Sequence, residues 1–576
     1  MSKILSSKSL NNKLIRLFIV FSIIFIIILG MFSPVLSSND AYFYANISKN
    51  IVINNDWINL TFNHNDWLDK PHLTFWLTAI FYKIFGIKTF SYIFAGVSFF
   101  LLGGVFTFKL AKIIFASKEV ALLATLIYFT SLHLLTSVID VRAEVYLLFF
   151  ITASCYYWYK YYYTTNINIK LLLKGSVFTA CAVMVKGIFV LVSIFGGILF
   201  LMLYKKDMKS LLSKKWLYAS SLIFLFIFPE LYTLFIQFDL HPEKLVFGKS
   251  HVSGIRWFFW DSQFGRFFNF GPINVGHKSW SHYFFYFHTY LWSFLPWSII
   301  FIIALWDTIK SFKLSNDVLQ TQIIKQNYIY LLGCFIPTFI LFSLTNFQLD
   351  HYTNILIPFS TIFCANWLYN KATRIFSHFV FYVQVSIAFI LLALVVILSN
   401  MFFTGNIFML LIGLCIIVVL LFAILHHNYM LTKAILYPIL SIYCVFCLVC
   451  FTNSYIYIKY DLGYQVNQYI QNNKLPILDI IDYRVNSLST EFFSNASYYR
   501  YDNIESVVKI NKDYYLVVNI KNFKNIKDDI SSVCNLDQIN KFYYIQQQEF
   551  IKTLFNLKYK EQNLQVVLFL KCGKNI

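Results

Sequence analysis

Long apolar runs separated by short polar connections fill the chain from about residue 14 to residue 453. A helix needs roughly 17–25 mostly apolar residues to cross a bilayer. That length predicts about thirteen membrane-spanning helices, with the short run 171–185 counted as one of them. The predicted spans are 14–31, 90–111, 119–137, 144–160, 171–185, 187–204, 216–237, 284–306, 328–345, 352–368, 376–399, 405–425 and 433–452.

Two apolar stretches near the N-terminus need separate interpretation. The first run, Leu14–Met31, is longer than the roughly 7–15 residues of a signal-peptide core, so we expect it to be retained as a span. The stretch Leu73–Gly86 is apolar and aromatic but too short to cross the bilayer. We expect it to form a helix that lies in the membrane interface.

The tail from about Ser454 is more polar than the rest of the chain. Short apolar alternations at Tyr514–Val518 and Gln565–Leu570 predict strands in it. Residues 454–576 are therefore predicted to form a small C-terminal α/β domain, and residues 1–453 the transmembrane domain.

The ten cysteines fall into two groups. Eight lie within or beside apolar runs and lack metal-ligand spacing, which is typical of packing residues. Cys534 and Cys572 lie in the polar tail. In an oxidising compartment a disulfide between them and two free thiols are equally compatible with the sequence.

Composition supports an integral membrane protein. Of 576 residues, 58% are hydrophobic and 13% charged, and the mean hydropathy is +0.62, which no soluble domain of this length shows. The net charge of +20 would suit nucleic acid if the cations formed one basic face. The lysines lie instead between apolar runs, so they indicate orientation in membrane lipids, and we expect no nucleic-acid partner.

Charge also orients the predicted spans. Cytoplasmic loops are enriched in Lys and Arg. With the N-terminus inside, every basic loop falls on the inner side, and the densest is 205–215. This orientation predicts a multi-pass protein of the bacterial inner membrane whose polar site faces the periplasm. The outer side then holds the tail and the loops 33–89, 138–143, 238–283 and 346–351.

Most of the unusual polar residues lie on this outer side, which indicates a site. Asp40 follows the first span and suits either a helix N-cap or a chemical role. Asp69, Lys70 and Pro71 begin the interfacial helix. The Lys70 amine suits either snorkelling toward water or holding a phosphate.

Charged residues also stand at the ends of two later spans. Asp140, Arg142 and Glu144 crowd the outer end of one helix, where they either pair with one another or face a polar cavity. Lys186 precedes Gly187 at a tight turn, and a snorkelling amine is the simpler interpretation there.

The outer loop 238–283 is the richest in basic and aromatic residues. That mixture suits a phosphate carrying sugar and prenyl groups, although an interfacial aromatic belt has the same composition. Its histidines lack the spacing of a metal site. Asp350, His351 and Tyr352 enter a later span from the same side, where Asp350 suits a helix cap. The loop contains His241, His251, Arg256, Trp257, Trp260, Asp261, Arg266, His277, Lys278 and His282.

Short motifs follow one another in a distinctive order along residues 14–370. They are Asp40 with Tyr44, Asp56-Trp57, Asp69-Lys70-Pro71, Phe75-Trp76-Leu77, Phe85-Gly86, Arg142-x-Glu144, Lys186-Gly187, Arg266-Phe267, Leu295-Pro296-Trp297 and Gln348-Leu349-Asp350-His351-Tyr352 with Pro358. No single motif is specific, but the order and spacing are. Together they resemble the GT-C superfamily of membrane glycosyltransferases, in the branch of the lipid A aminoarabinose transferases and the protein mannosyltransferases.

The resemblance implies an inverting transfer of a sugar, with an aminosugar among the options, from a polyprenyl-phosphate donor to lipid A or a related acceptor. It implies catalytic roles for Asp40 and Glu144 and donor-phosphate binding by Lys70 and Arg266. Arg142 is a further cation for that phosphate. The other positions expected to bind substrate are Tyr44, Asp69, Lys186, His351 and Tyr352.

Two positions depart from the family pattern. Phe43 stands where the first-loop motif commonly has an Arg, so one phosphate contact must come from elsewhere. Gln263 stands about where some aminoarabinose transferases carry a His that shares a metal with the acid before the Lys. A structural zinc is therefore not expected. A divalent cation between Asp40 and Glu144 is compatible with the sequence but not required, since the chain supplies its own cations.

Glycosyl transfer needs stabilisation of the leaving phosphate and an acceptor on the opposite face of the anomeric carbon. Asp40 is the candidate general base for an acceptor hydroxyl. If the acceptor is a lipid phosphate, Asp40 would orient the substrate instead. Three alternatives stay open: a flippase or transporter of a lipid-linked sugar, with inverted repeats and mid-membrane charges, a protein O-mannosyltransferase-like enzyme, and an oligosaccharide polymerase or ligase.

Overall fold

A computed structural model describes residues 12–31, 33–270, 272, 281–314, 319–370, 374–402, 430–545 and 563–573. Helices dominate the part up to residue 451. They are α1 (Asn12–Gly30), α2 (Asn39–Asn54), α3 (His72–Phe85), α4 (Thr89–Phe115), α5 (Lys118–Phe129), α6 (Leu132–Ile139), α7 (Ala143–Tyr162), α8 (Ile169–Lys186), α9 (Val190–Tyr204), α10 (Lys214–Leu234), α11 (Ser281–Ser293), α12 (Ser298–Leu314), α13 (Leu319–Leu344), α14 (Ile357–Asn370), α15 (Arg374–Phe402) and α16 (Met430–Phe451).

Shorter helical pieces join these helices. A 3₁₀ turn at Met208–Leu212 precedes α10, a π-turn at Phe235–Asp239 extends it, and a 3₁₀ turn at Asp350–Leu356 leads into α14. Three consecutive pieces form what we call the 254–268 segment. Its pieces are Gly254–Arg256, Trp257–Gly265 and Arg266–Phe268.

The predicted multi-pass helical architecture is confirmed. In the described part of the chain, six helices are long and apolar enough to cross a membrane, and counting two sharply bent helix pairs as single spans gives eight. The total of thirteen therefore stays a prediction. The predicted span 405–425 lies outside the described residues.

One predicted span, 119–137, is broken into α5 and α6, which meet at 55°. The hydroxyls of Thr130 and Ser131 each donate to a backbone carbonyl one turn earlier, at 2.7 Å. Such back-bonding competes with the helical hydrogen bonds and bends helices. A second break separates α11 from α12 at 112°, and Leu132 N donates to Leu295 O across the two breaks at 2.9 Å.

The first outer loop folds into α2, a short hairpin and α3. The hairpin pairs β1 (Thr61–Phe62) with β2 (Asn65–Asp66) in antiparallel register. Helix α3 coincides with the predicted helix within one residue at each end, while its place in the membrane interface stays a prediction. The side chain of Ser38 accepts a hydrogen bond from Ala41 N and caps α2. Asp40 is therefore free of the capping role that the sequence allowed.

The C-terminal residues form the predicted α/β domain. Its strands are β3 (Asp479–Tyr483), β4 (Tyr498–Tyr501), β5 (Tyr514–Asn519), β6 (Asn540–Tyr544) and β7 (Gln565–Cys572), and its helices are α17 (Leu462–Asn472), α18 (Leu488–Phe493), α19 (Ile504–Val508) and α20 (Ile520–Ile530). The sheet order is β4-β3-β5-β7-β6, with β3 parallel to β4 and β5, and β7 antiparallel to β5 and β6. Both predicted strands are present, as β5 and β7.

The open question about the two tail cysteines is answered by a disulfide between Cys534 and Cys572. It closes the chain after α20 onto the last strand of the sheet, and the two cysteines also form an isolated backbone bridge. The boundary of the domain at residue 454 stays a prediction, because α16 continues through helical turns to Tyr460.

Two buried contacts join this domain to α2. The Lys49 amine donates to the carbonyls of Glu491, Phe492 and Ser494 at 2.7, 3.0 and 2.8 Å, which satisfies the C-terminal end of α18. Burial lowers the pKa of Lys49 to about 8. The Tyr42 hydroxyl donates to Asp461 at 2.8 Å. The helix that carries Asp40 is therefore fixed from the outside by the C-terminal domain.

Replacing Lys49 by Met should weaken this attachment. Three buried carbonyls would lose a charged donor, so we expect the free energy of unfolding to fall by about 2–3 kcal/mol. Thermal unfolding of the purified protein, with limited proteolysis of the C-terminal domain, measures this. Lys524→Met, at an exposed position of α20, is the matched control and should change little. Equal melting temperatures for the two variants would contradict the attachment.

Candidate functional site

Two cavities lie beside each other where the outer loops meet the helix ends. The larger, about 420 Å³, we call the basic cavity. Its charged lining residues are Asp69, Lys70, Lys186, Glu230 and Arg266, and the apolar lining includes Ile188, Phe189, Trp257, Phe258, Phe342 and Phe347. The smaller, about 70 Å³, we call the small cavity, and it is lined by His133, Thr136, Ser137, Asp140, Arg142, Glu144, Val145, Asp350, His351 and Asn354.

A single carboxylate organises one wall of the basic cavity. Asp69, in the loop before α3, forms ion pairs with both Lys70 and Arg266. Burial alone would raise the pKa of Asp69, but the charges of Lys70 and Arg266 outweigh burial and lower it. Burial and the nearby Arg266 charge lower the pKa of Lys70. One anion thus holds two cations together, and this wall keeps a net positive charge.

Lys186 supplies the third cation. It is the last residue of α8, and its amine is paired with Glu144 and lies 4.0 Å from the centre of the Tyr352 ring. The side chain of Lys186 is 6% exposed, so the snorkelling interpretation was wrong and the amine points inward. Glu144 lies in the first turn of α7, where the helix dipole favours a carboxylate.

The turn after Lys186 requires glycine. Gly187 has φ +102, and a Cβ at this position would overlap the Gln263 side chain of the 254–268 segment. The segment therefore packs directly onto the turn that sets the height of Lys186. The two tails of the site, α8 and the 254–268 segment, are held together by this contact.

Arg142 occupies the wall between the two cavities. Its Nη1 lies 3.0 Å from Asp40 Oδ2 and 2.8 Å from His351 Nδ1, and its Nη2 lies 2.9 Å from Asp140 Oδ2. Of the two sequence alternatives, pairing among the charges and a polar cavity, both hold for Arg142. It lines the small cavity with Glu144 and does not line the basic cavity with the other two expected phosphate ligands, Lys70 and Arg266.

His351 and Tyr352 face different neighbours. The Nε2 atom of His351 lies 3.6 Å from Glu144 Oε1, and its Nδ1 atom lies 3.1 Å from Asp350 Oδ1. Asp350 also accepts from the backbone N–H of His351 at 2.7 Å, which agrees with its expected capping role. Tyr352 lines the basic cavity. The expected substrate-binding residues are thus divided between the two cavities.

Tyr44 lies on α2 one turn after Asp40. Burial, followed by the charges of Asp69 and Asp40, raises the pKa of Tyr44. Its ring centre is 5.3 Å from that of Phe75 on α3. A hydroxyl that stays protonated between the two carboxylates is available as a hydrogen-bond donor.

A divalent cation between Asp40 and Glu144 does not fit the arrangement. Asp40 is bound by Arg142 and Glu144 by Lys186, so each carboxylate already has its own cation. Across the described ranges, no group of three His, Cys, Asp or Glu side chains is arranged to hold a metal ion. Gln263 lies near Asp69 in the wall of the basic cavity, where its amide adds no anionic ligand.

Sequence reasoning missed two residues of the basic cavity. Glu230 was placed within an apolar span, although it is the single charged residue in 216–237 and an intramembrane charge is a signal of function. His72, directly after Asp69-Lys70-Pro71, is its partner. Of the residues singled out in loop 238–283, Trp257 and Arg266 line the cavity, while His241 and His251 are exposed. His277 and Lys278 lie outside the described residues.

Two buried donors of the basic cavity lack a hydrogen-bond partner among the described residues. They are the indole Nε1 of Trp257 and the guanidinium Nε of Arg266. Buried donors are normally satisfied, so their position in a cavity with three cations indicates a ligand rich in anionic oxygens.

Comparison with known proteins agrees with this geometry. Residues 12–246 match the family model described as dolichyl-phosphate-mannose-protein mannosyltransferase. An uncharacterized protein of Aquifex aeolicus is 29% identical over 342 residues, covering 58% of this chain and 59% of the relative. Undecaprenyl phosphate-alpha-4-amino-4-deoxy-L-arabinose arabinosyl transferase 2 of Proteus mirabilis is 29% identical over 155 residues, covering 26% and 28%. The chain thus spans less than two thirds of either relative.

The fold itself is matched over nearly its whole length. The crystal structure of ArnT from Cupriavidus metallidurans bound to undecaprenyl phosphate has a TM-score of 0.71 at 13% identity, covering 97% of this chain and 98% of that one. The predicted resemblance is confirmed: the chain has the GT-C fold of membrane glycosyltransferases, a polytopic helical bundle with a small C-terminal α/β domain.

The packing at Gly187 can be tested directly. We expect Gly187→Ala to lower the free energy of unfolding through its positive φ, by about 1–3 kcal/mol, and by a further amount through the overlap with Gln263. Gly248→Ala is the matched control, because Gly248 has φ +73 but open space around it. Thermal unfolding should show a larger loss at position 187, and adding Gln263→Ala should recover the difference. Equal losses at the two glycines would contradict the contact.

Proposed function

We propose that the protein is an inverting glycosyltransferase that moves a sugar from a polyprenyl-phosphate donor to lipid A or a related acceptor at the periplasmic face of the bacterial inner membrane. The observation that carries the proposal is the basic cavity, in which Lys70, Lys186 and Arg266 converge beside an apolar lining. A phosphate ester with a prenyl tail has the matching chemistry. The names of the arabinosyl transferase relative and of the ArnT complex support a polyprenyl-phosphate donor.

The three cations suit the leaving group of the reaction. When the bond between the sugar and the phosphate breaks, negative charge grows on the phosphate oxygens, and fixed cations in a desolvated cavity stabilise it. Lys70 and Arg266 are held by Asp69 and need no reorganisation to receive the phosphate. Lys186 takes the place for a third cation that we first gave to Arg142.

Asp40 is proposed as the general base. Its side chain is 54% exposed and hydrogen-bonds to Arg142, so it stays accessible to an acceptor hydroxyl while its orientation is fixed. Arg142 in this proposal orients Asp40. Glu144 holds Lys186 toward the donor. If the acceptor supplies an anionic phosphate oxygen, Asp40 orients the acceptor and removes no proton.

The sugar is proposed to carry an amine. Three carboxylates, Asp40, Asp140 and Asp350, lie around the small cavity against the single guanidinium of Arg142. A cationic substituent on the sugar would complement this charge, and the printed name of the Proteus mirabilis relative contains an amino-deoxy sugar. A protein acceptor is the second candidate, since the family model matched by residues 12–246 describes a protein mannosyltransferase.

Mass spectrometry of lipid A tests the proposal in isogenic cells carrying the wild-type gene, a deletion, Asp40→Asn or Asp207→Asn. We expect an aminosugar-sized mass increment in the wild type to be lost in the deletion and reduced by about a hundredfold or more in Asp40→Asn. Asp207 is an exposed carboxylate in the basic loop after α9, so its variant should keep the increment.

Other outcomes separate the alternatives. Unchanged lipid A in all four strains, with a glycosylated protein lost in the deletion, would replace the lipid acceptor by a protein one. Unchanged lipid A with the donor lipid trapped on the cytoplasmic side would instead indicate a flippase.

A further inference from the structure

A buried acid and a buried histidine lie behind the cation wall of the basic cavity. Glu230 of α10 and His72 of α3 are both fully buried, and His72 Nδ1 lies 3.0 Å from Glu230 Oε1. The other ring nitrogen, Nε2, lies 2.9 Å from the Ile58 carbonyl oxygen. A carbonyl can only accept, so Nε2 carries a proton, and the pair is linked on both sides.

The same carboxylate caps α3 from another helix. The residue before the helix is Pro71, which provides no side-chain cap. Both oxygens of Glu230 lie 3.1 Å from the backbone N of His72, the first residue of α3. A carboxylate satisfies the free N–H groups of a helix start and complements its dipole. Glu230 therefore does in space what a local Ser or Asp does in most helices.

The capped helix start is two residues from Lys70. Pro71 between them has a fixed φ of −63, so the chain from His72 back to Lys70 has little freedom. Lys70 contacts only Asp69 among the described acids at ion-pair distance. Its direction is therefore set from two sides, by Asp69 in front and by the anchored start of α3 behind.

His72 also decides the charge of the cavity. Glu230 lines the basic cavity, and a carboxylate without a partner there would compete with a phosphate for Lys70 and carry a large desolvation penalty. His72 binds the carboxylate from behind and keeps it turned to the helix end. The three cations of the wall then remain available to a ligand.

We propose that Glu230 and His72 are positioning residues for the donor phosphate: they anchor the start of α3 and so hold Lys70 toward Arg266 and Lys186. This inference rests on the proposed function, since it takes the ligand of the basic cavity to be a polyprenyl phosphate. Neither side chain touches the reacting atoms.

Binding of undecaprenyl phosphate to the full-length protein in nanodiscs tests the inference. We expect Glu230→Gln to weaken binding by about tenfold, the loss of roughly one charged hydrogen bond. The chain supplies a matched control, because His241 Nδ1 and Glu243 Oε1 are also 3.0 Å apart but exposed. Glu243→Gln should bind like the wild type. If Glu230→Gln does not insert, His72→Asn replaces it in the same comparison.

A double-variant comparison separates positioning from a general loss of structure. If Glu230 acts through Lys70, adding Glu230→Gln to Lys70→Met should weaken binding no further. An independent tenfold loss in that background, or wild-type affinity of Glu230→Gln alone, overturns the inference while leaving the proposed function intact. Failure of the wild type to bind undecaprenyl phosphate overturns the proposed function, and the inference with it.

Discussion

The sharing of Asp69 between Lys70 and Arg266 is the interaction on which the rest of the site depends. Like charges brought together in a desolvated cavity repel each other, and a full set of counter-charges would leave nothing for a ligand to bind. One carboxylate between two cations lies between these extremes. It stabilises the wall and leaves a net positive charge that an anionic ligand can complete.

The surrounding elements all serve to keep that arrangement in place. Glu230 anchors α3 behind Lys70, the 254–268 segment carries Arg266, and its Gln263 packs on Gly187 below Lys186. Farther out, the C-terminal domain fixes α2 through Lys49. Arg142 separates this basic region from the carboxylates around the small cavity. The opposite charges of the two cavities give donor and acceptor different places in one site.

Much of the fold follows from local patterns in the sequence. Long apolar runs specify membrane helices whatever lies beside them, and short alternations specified β5 and β7, because both signals depend on neighbouring residues alone. The breaks within two predicted spans were missed. They arise where hydroxyls such as that of Thr130 compete with the helix backbone, and a hydropathy pattern averages over single residues.

The site was predictable in its residue types and less so in its pairings. The outer position of Lys70 and Arg266 suggested an anion site, but their common partner Asp69 is 197 residues from Arg266 in sequence. The inward direction of Lys186 and the placing of Arg142 beside Asp40 depend on helices that meet only in the folded chain. Glu230 carried a signal, a lone charge in an apolar run, that could have placed it in the site.

The central claim is that Lys70, Lys186 and Arg266 together bind the phosphate of the donor lipid. An electron cryo-microscopy structure of the protein with undecaprenyl phosphate tests it most directly. The account predicts phosphate density in the basic cavity, with oxygens about 3 Å from the nitrogens of these three side chains. Density for the phosphate beside Arg142 in the small cavity, with the basic cavity filled only by lipid tail, would contradict it.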